Sequence, residues 1–257
     1  MRDDTATLLA AGILTYIAET MAHEVIGHGG ACLLDGDQFT MLAPLWMRCS
    51  RTPPWLTAAG PATNIALAIM FAAILRLTPP KNPLVGLVLW LSFAFNALVA
   101  CGYLGVGALT GFGDWPFLFQ SVTPAIAWRL PAVLIAAVGY FICLRIAAAL
   151  FQRLAGAGKP AASCLRGRAV IPAAGAAVIA VGAEIYGGRA QFLPLLLATG
   201  CTLVVGLSLT SMDDRVAKTV ADRRDLGPIP RSPTVIALAA AIATAFILVI
   251  GPGLSLS

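Results

Sequence analysis

Four stretches of this chain run for more than twenty residues without an Asp, Glu, Lys or Arg. They are 52–75, 82–113, 190–212 and 232–257, and they hold 24, 32, 23 and 26 residues. An α-helix needs about 20 mostly apolar residues to cross the hydrocarbon core of a bilayer. Backbone groups left unpaired in lipid are costly, so these stretches are expected to be helices. The roughly 10-residue alternation of a membrane β-barrel is absent. Charged residues make up 11% of the chain, against about 25% in an ordinary soluble domain, and the mean hydropathy is +0.86. Such a chain cannot cover itself with a solvated surface, which excludes soluble globular, disordered and coiled-coil folds. The sequence pI near 9.1 does not point to nucleic acid. The lysines and arginines are spread over short connectors and form no aromatic-basic stripe. The bilayer is the expected partner.

Three more apolar segments carry isolated charges, which brings the expected spans to seven: 5–34, 56–76, 83–110, 130–151, 169–186, 190–211 and 233–254. Prolines punctuate the connectors, at Pro53 and Pro54, at Pro79, Pro80 and Pro83, and at Pro228, Pro230 and Pro233. The fold expected is all-α and polytopic. The first span does not read as a cleaved signal peptide, because Arg2 is followed by Asp3 and Asp4 and the span itself is polar in places. The Ala/Gly richness of 172–183 suits close helix packing. With seven spans, the side holding the N-terminus carries 13 of the 17 Lys and Arg, and the other side carries Arg48, Arg51, Arg129 and Arg189. The positive-inside rule then puts the N-terminus in the cytoplasm, of a plasma membrane by expectation. Among the six cysteines no CxxC pair occurs, so a thiolate zinc site is not expected. Cys32 and Cys49 flank one connector and would pair if it faced an oxidising compartment; otherwise they are small packing residues.

The two histidines of the chain, His23 and His28, both lie in the first span, with Glu24 beside the first. Ionisable groups inside a membrane helix are expensive and usually face a cavity or a functional site. Two histidines four apart share one face of a helix and can grip zinc, with an adjacent glutamate as general base. Here the motif is HExxxH, and the spacing is five. On a regular α-helix that leaves the two rings ~140° apart. A π-bulge absorbs one extra residue, and Gly27 inside the interval lowers the cost of a backbone deviation. The spacing resembles that of the dipeptidyl peptidase III family of soluble zinc enzymes.

After the histidine segment comes Ala59-Gly60-Pro61-Ala62-Thr63-Asn64, at the start of the second span. A histidine–glutamate motif in one membrane helix followed by a GPxxN helix resembles the site-2-protease-like intramembrane zinc metalloproteases, over roughly residues 15–115. That resemblance implies a three-helix metalloprotease-like core over 1–116, with 117–257 as accessory helices. It also implies a third ligand, an aspartate, from a later core helix, commonly in an LDG context. No LDG occurs, and Asp114 in Gly111-Phe112-Gly113-Asp114 is the candidate, as the only acid between Asp37 and Glu184. His23 and His28 lie toward the far end of the first span, Asn64 near the start of the second and Asp114 just past the third. Spans alternate in direction, so all of these fall at one face of the membrane.

The expected roles follow. His23, His28 and Asp114 ligate Zn2+, and Glu24 serves as general base in hydrolysis of a peptide bond of a membrane-embedded or membrane-proximal polypeptide. Asn64 either hydrogen-bonds substrate or oxyanion, as a catalytic residue, or makes an interhelical polar contact. Glu19, four before His23, either orients that ring, replaces Asp114 as ligand, or does neither. The connector 35–55, with Trp46 and Trp55, is either a hairpin that guides an extended substrate by strand addition or an interfacial anchor. In the resembling family the metal usually lies near the cytosolic face, whereas the charge bias here places it near the opposite one. The rival class is a non-catalytic metal-binding membrane protein: a transporter, a sensor or a scaffold keeping the fold.

Overall fold

Local sequence signals start and stop the helices where polar side chains can serve the backbone. In the computed structural model, which describes residues 3–155, 159–188, 203–211 and 227–255, the first helix α1 spans Thr5–Leu34. Asp4 caps it, accepting from the Thr7 N–H at 2.9 Å and the Thr7 hydroxyl at 2.8 Å. Two short strands follow, β1 (Phe39–Ala43) and β2 (Trp46–Cys49), then a 3-10 turn over Pro54–Ala58 that leads into α2 (Ala59–Leu77). Helix α3 (Pro83–Thr110) opens on Asn82, whose side chain accepts from the Leu84 and Val85 N–H groups, with Pro83 at its first position. It closes on Gly111, which takes the left-handed φ of +75° that a helix C-terminus favours. A short helix α4 (Asp114–Leu118) precedes α5 (Ile126–Ala155) and α6 (Lys159–Tyr186). The last helix, α7 (Pro233–Ala245), continues as a π turn over Phe246–Ile250 and ends at β3 (Leu254–Ser255).

Six helices of the described residues are long and apolar enough to cross a membrane: Thr5–Leu34, Pro54–Leu77, Pro83–Thr110, Ile126–Leu154, Leu165–Tyr186 and Pro233–Ile250. They match six of the seven expected spans. The expected span over 190–211 lies largely outside the described residues, of which 203–210 are helical. The all-α expectation is relieved at one place. The connector 35–55 forms a β1–β2 hairpin, and β3 pairs antiparallel with the other edge of β1, giving a sheet of order β2-β1-β3. The Cys32–Cys49 disulfide ties the last turn of α1 to β2, with the Cα atoms 6.0 Å apart.

One buried apolar cluster draws on α1, α2, α3, α5, α6 and α7, with Trp90 and Leu98 of α3 fully enclosed. The Trp90 indole donates to the Ala147 carbonyl at 2.9 Å, which joins α3 to α5. Helices α1 and α6 meet through small residues, as the Ala/Gly composition of 172–183 leads one to expect. A Cβ on Gly12 would overlap the Pro172 carbonyl, and one on Gly175 would lie 2.8 Å from the Leu9 carbonyl oxygen. At the end of the helices opposite the hairpin, Asp3 accepts two 2.9 Å bonds from Arg168 and one of 2.8 Å from the Ile229 N–H. Burial pushes the Asp3 carboxyl up, but Arg168 and the Ile229 N–H together hold it below the usual carboxylate value.

A Gly12→Leu substitution must push α1 away from the Pro172 backbone. Overpacking of this kind costs about 1–3 kcal/mol, and the expected outcome is a lower unfolding midpoint in detergent.

Candidate metal centre

Hydrogen bonding along α1 changes character where the histidines lie. The helix is α-helical over Thr5–Met21, π-helical over Ala22–Gly29 and α-helical again over Gly30–Leu34. With i→i+5 bonds, residues five apart come to lie one above the other, as residues four apart do on an α-helix. His23 and His28 thus share a face. Their Nε2 atoms are 3.2 Å apart, and each faces the Asp114 Oδ2, at 3.2 Å from His23 and 3.4 Å from His28. Among the described residues, this is the group of His, Cys, Asp and Glu side chains that could hold a metal ion.

The other ring nitrogen of each histidine is spoken for. His28 Nδ1 lies 3.1 Å from the Leu56 carbonyl, which can only accept, so Nδ1 carries the proton. His23 Nδ1 lies 3.0 Å from Asn64 Oδ1. The Asn64 amide nitrogen in turn donates to Glu19 Oε1 at 2.5 Å, which fixes the amide with its oxygen toward His23. In the neutral rings both Nε2 atoms are therefore lone pairs aimed at a carboxylate oxygen. Three acceptors at this separation repel unless a cation lies among them. A tetrahedral ion with bonds of about 2.0–2.1 Å has ligand–ligand edges of roughly 3.3–3.4 Å, and the observed 3.2, 3.2 and 3.4 Å edges fit it.

Asp114 reaches the site from the turn after α3. Gly113 takes φ +102°, and the Thr57 hydroxyl donates to the Asp114 carbonyl at 3.2 Å. Burial would raise the Asp114 carboxyl, but protons on the His23 and His28 Nε2 atoms, in the place a metal cation would take, hold it at about 2. The carboxylate is thus ionised against positive charge. Beyond it, Trp115 stacks on Phe119 and Phe119 on Trp128, with ring centroids 6.3 and 5.3 Å apart, an aromatic shelf beside the carboxylate.

Glu24 lies within electrostatic reach of His23, His28 and Asp114 but outside the ligand set. It is 5% exposed, and its Oε2 has no hydrogen-bond partner. A buried carboxylate oxygen left without a donor is costly, and water beside the three ligands would satisfy it. Asn64, 1% exposed, sits between Glu19 and His23 as an interhelical polar contact. Glu19 orients His23 through Asn64 rather than directly.

Two glycines take roles that residue type alone did not disclose. A Cβ on Gly27 would lie 2.7 Å from the Gly60 Cα, so Gly27 serves the close approach of α1 to α2 as well as the backbone deviation. A Cβ on Gly60 would lie 2.5 Å from both His23 Nε2 and His28 Nε2. The glycine of the GPxxN segment is thus the floor of the centre. Tyr103 also borders the group. Its ring meets His23 edge-on at 6.3 Å, and its hydroxyl packs where a Gly113 side chain would stand. An aromatic residue in an apolar helix carries no sequence signal for such a place.

No family model, curated protein or solved structure significantly matches this chain.

A Gly60→Ala chain is expected to fold and to lose the metal, because the methyl would crowd both ligating nitrogens; elemental analysis of purified protein reads the loss. Asn64→Ala frees the His23 ring. Loss of such an orienting partner typically costs 10–100-fold in metal affinity, measurable by chelator competition.

Proposed function

We propose that this chain is an intramembrane zinc metallopeptidase that hydrolyses peptide bonds in or near the bilayer, akin to the site-2-protease-like enzymes that its HExxxH and GPxxN segments resemble. The observation that carries the reading is the Glu24 carboxylate, buried with its Oε2 unpartnered, next to a group of two imidazoles and one carboxylate that could hold a metal ion. Hydrolysis needs a base at such a position.

The donor set, two imidazoles and one carboxylate beside a buried glutamate, suits a zinc ion. Zinc held by His23, His28 and Asp114 supplies a Lewis acid and lowers the pKa of water. Glu24 Oε2 takes the proton of the attacking water and delivers it to the leaving amine. Glu19 and Asn64 hold the His23 ring, and Leu56 holds His28, so neither imidazole turns during the reaction. Bare backbone at Gly60 leaves room beside the ligands. The sheet order makes β2 an outer strand at this face, where an extended polypeptide segment would add.

Glu24→Gln keeps the size and the packing but removes the base. It is expected to retain zinc at wild-type stoichiometry and to lower cleavage of a membrane-anchored substrate by about 10²–10⁴-fold, the range of a lost general base. His23→Ala and Asp114→Ala are expected to lose zinc itself. Unchanged cleavage by the Glu24 variant would remove Glu24 as the base, and no cleavage by the zinc-loaded wild-type chain would make it a metal-binding membrane protein without this chemistry.

A further inference from the structure

The hairpin beside the metal centre holds two observations about the side of the membrane it occupies. The first is the Cys32–Cys49 disulfide. Cys32 lies four residues past His28 on α1, and both sulfurs are buried in a small cluster with Leu56. The carbonyl of that same Leu56 accepts from His28. The cross-link and the metal ligand thus share one local core, and the compartment that allows the first also bathes the second. Cytosolic thiols are kept reduced, whereas disulfides persist in oxidising compartments. Closure of the pair gives two protons and two electrons to a disulfide donor, which leaves as a dithiol.

The second is charge. Through Tyr186 every crossing of the described chain is seen. Residues 3–186 hold ten Lys and Arg. Arg48, Arg51 and Arg129 are on the face of the metal centre, and the other seven are toward the opposite face, at the ends of α2, α5 and α6 and their connectors. The excess of positive charge marks the cytoplasmic side. The two lines are independent, since one is redox chemistry and the other is membrane insertion.

We propose that the metal centre opens to the oxidising, non-cytoplasmic side of the membrane. The substrates are then segments of membrane-anchored polypeptides that lie on that side, a class distinct from chains presented from the cytosol. The substrate class rests on the metallopeptidase reading; the orientation does not.

The test uses the full chain in spheroplasts of a bacterial host and a polyethylene-glycol maleimide too large to cross the membrane. Val122→Cys places a thiol in the exposed connector on the centre's face, and Lys81→Cys places one in the exposed connector on the other. Wild-type chain gives the baseline from its own cysteines. The expected result is an added adduct on V122C in intact spheroplasts, an added adduct on K81C only after detergent lysis, and a Cys32–Cys49 cross-linked peptide in non-reducing mapping. Labelling of K81C in intact spheroplasts, absence of the V122C adduct there, or recovery of Cys32 and Cys49 as free thiols overturns the proposal. None of these readouts depends on metal or cleavage, so a failure of orientation and a failure of the peptidase reading are separate results.

Discussion

Two imidazole nitrogens and a carboxylate oxygen held 3.2–3.4 Å apart repel one another unless positive charge lies between them. In an apolar helix long enough to cross a membrane, that repulsion is compounded by the cost of burying polar groups. Much of the surrounding structure can be read as what keeps this arrangement in place. The π turn aligns the rings, Asn64 and Leu56 fix their tautomers, and the 3-10 turn at Pro54–Ala58 steadies both sides of the triangle. Its Leu56 carbonyl holds His28, and its Thr57 hydroxyl holds the Asp114 backbone. One short turn thus couples a ligand from the first helix with a ligand that enters 86 positions later.

The helical architecture was legible because stretches free of charge over more than twenty residues permit few alternatives, and the expected spans that fall on described residues agree with the helices to within a few residues. The convergence of His23 and His28 was legible only as a condition: five-residue spacing works if the helix widens, and it does. Asp114 could be placed by counting crossings, since direction alternates with each span. Other features depend on facts no spacing encodes. Gly60 is a glycine because two imidazoles stand above it, and the chain does not announce what stands above a residue. Tyr103 is one ring among many in apolar helices. The pairing of β3 with β1 joins residues more than two hundred apart through backbone groups, which leave no mark on side-chain pattern.

The carboxylates of the first helix illustrate how burial sorts chemically identical groups. Glu19 has taken the Asn64 amide and the Thr20 hydroxyl as partners and so has become part of the scaffold. Glu24, five residues on, has been left with an oxygen that nothing in the protein satisfies. The difference is what each meets: Glu19 meets the Asn64 amide of a neighbouring helix, and Glu24 Oε2 meets no donor.

Where α1 and α2 cross, glycine meets glycine, Gly27 against Gly60. At Gly60 no side chain stands between the two Nε2 atoms and the backbone of the second helix, whereas Asn64, one turn on, meets the His23 ring with its side chain. The spacing of the two helices at that level is therefore set by contact of main chain on main chain, as near as two helices can come, and any added side chain can only force them apart.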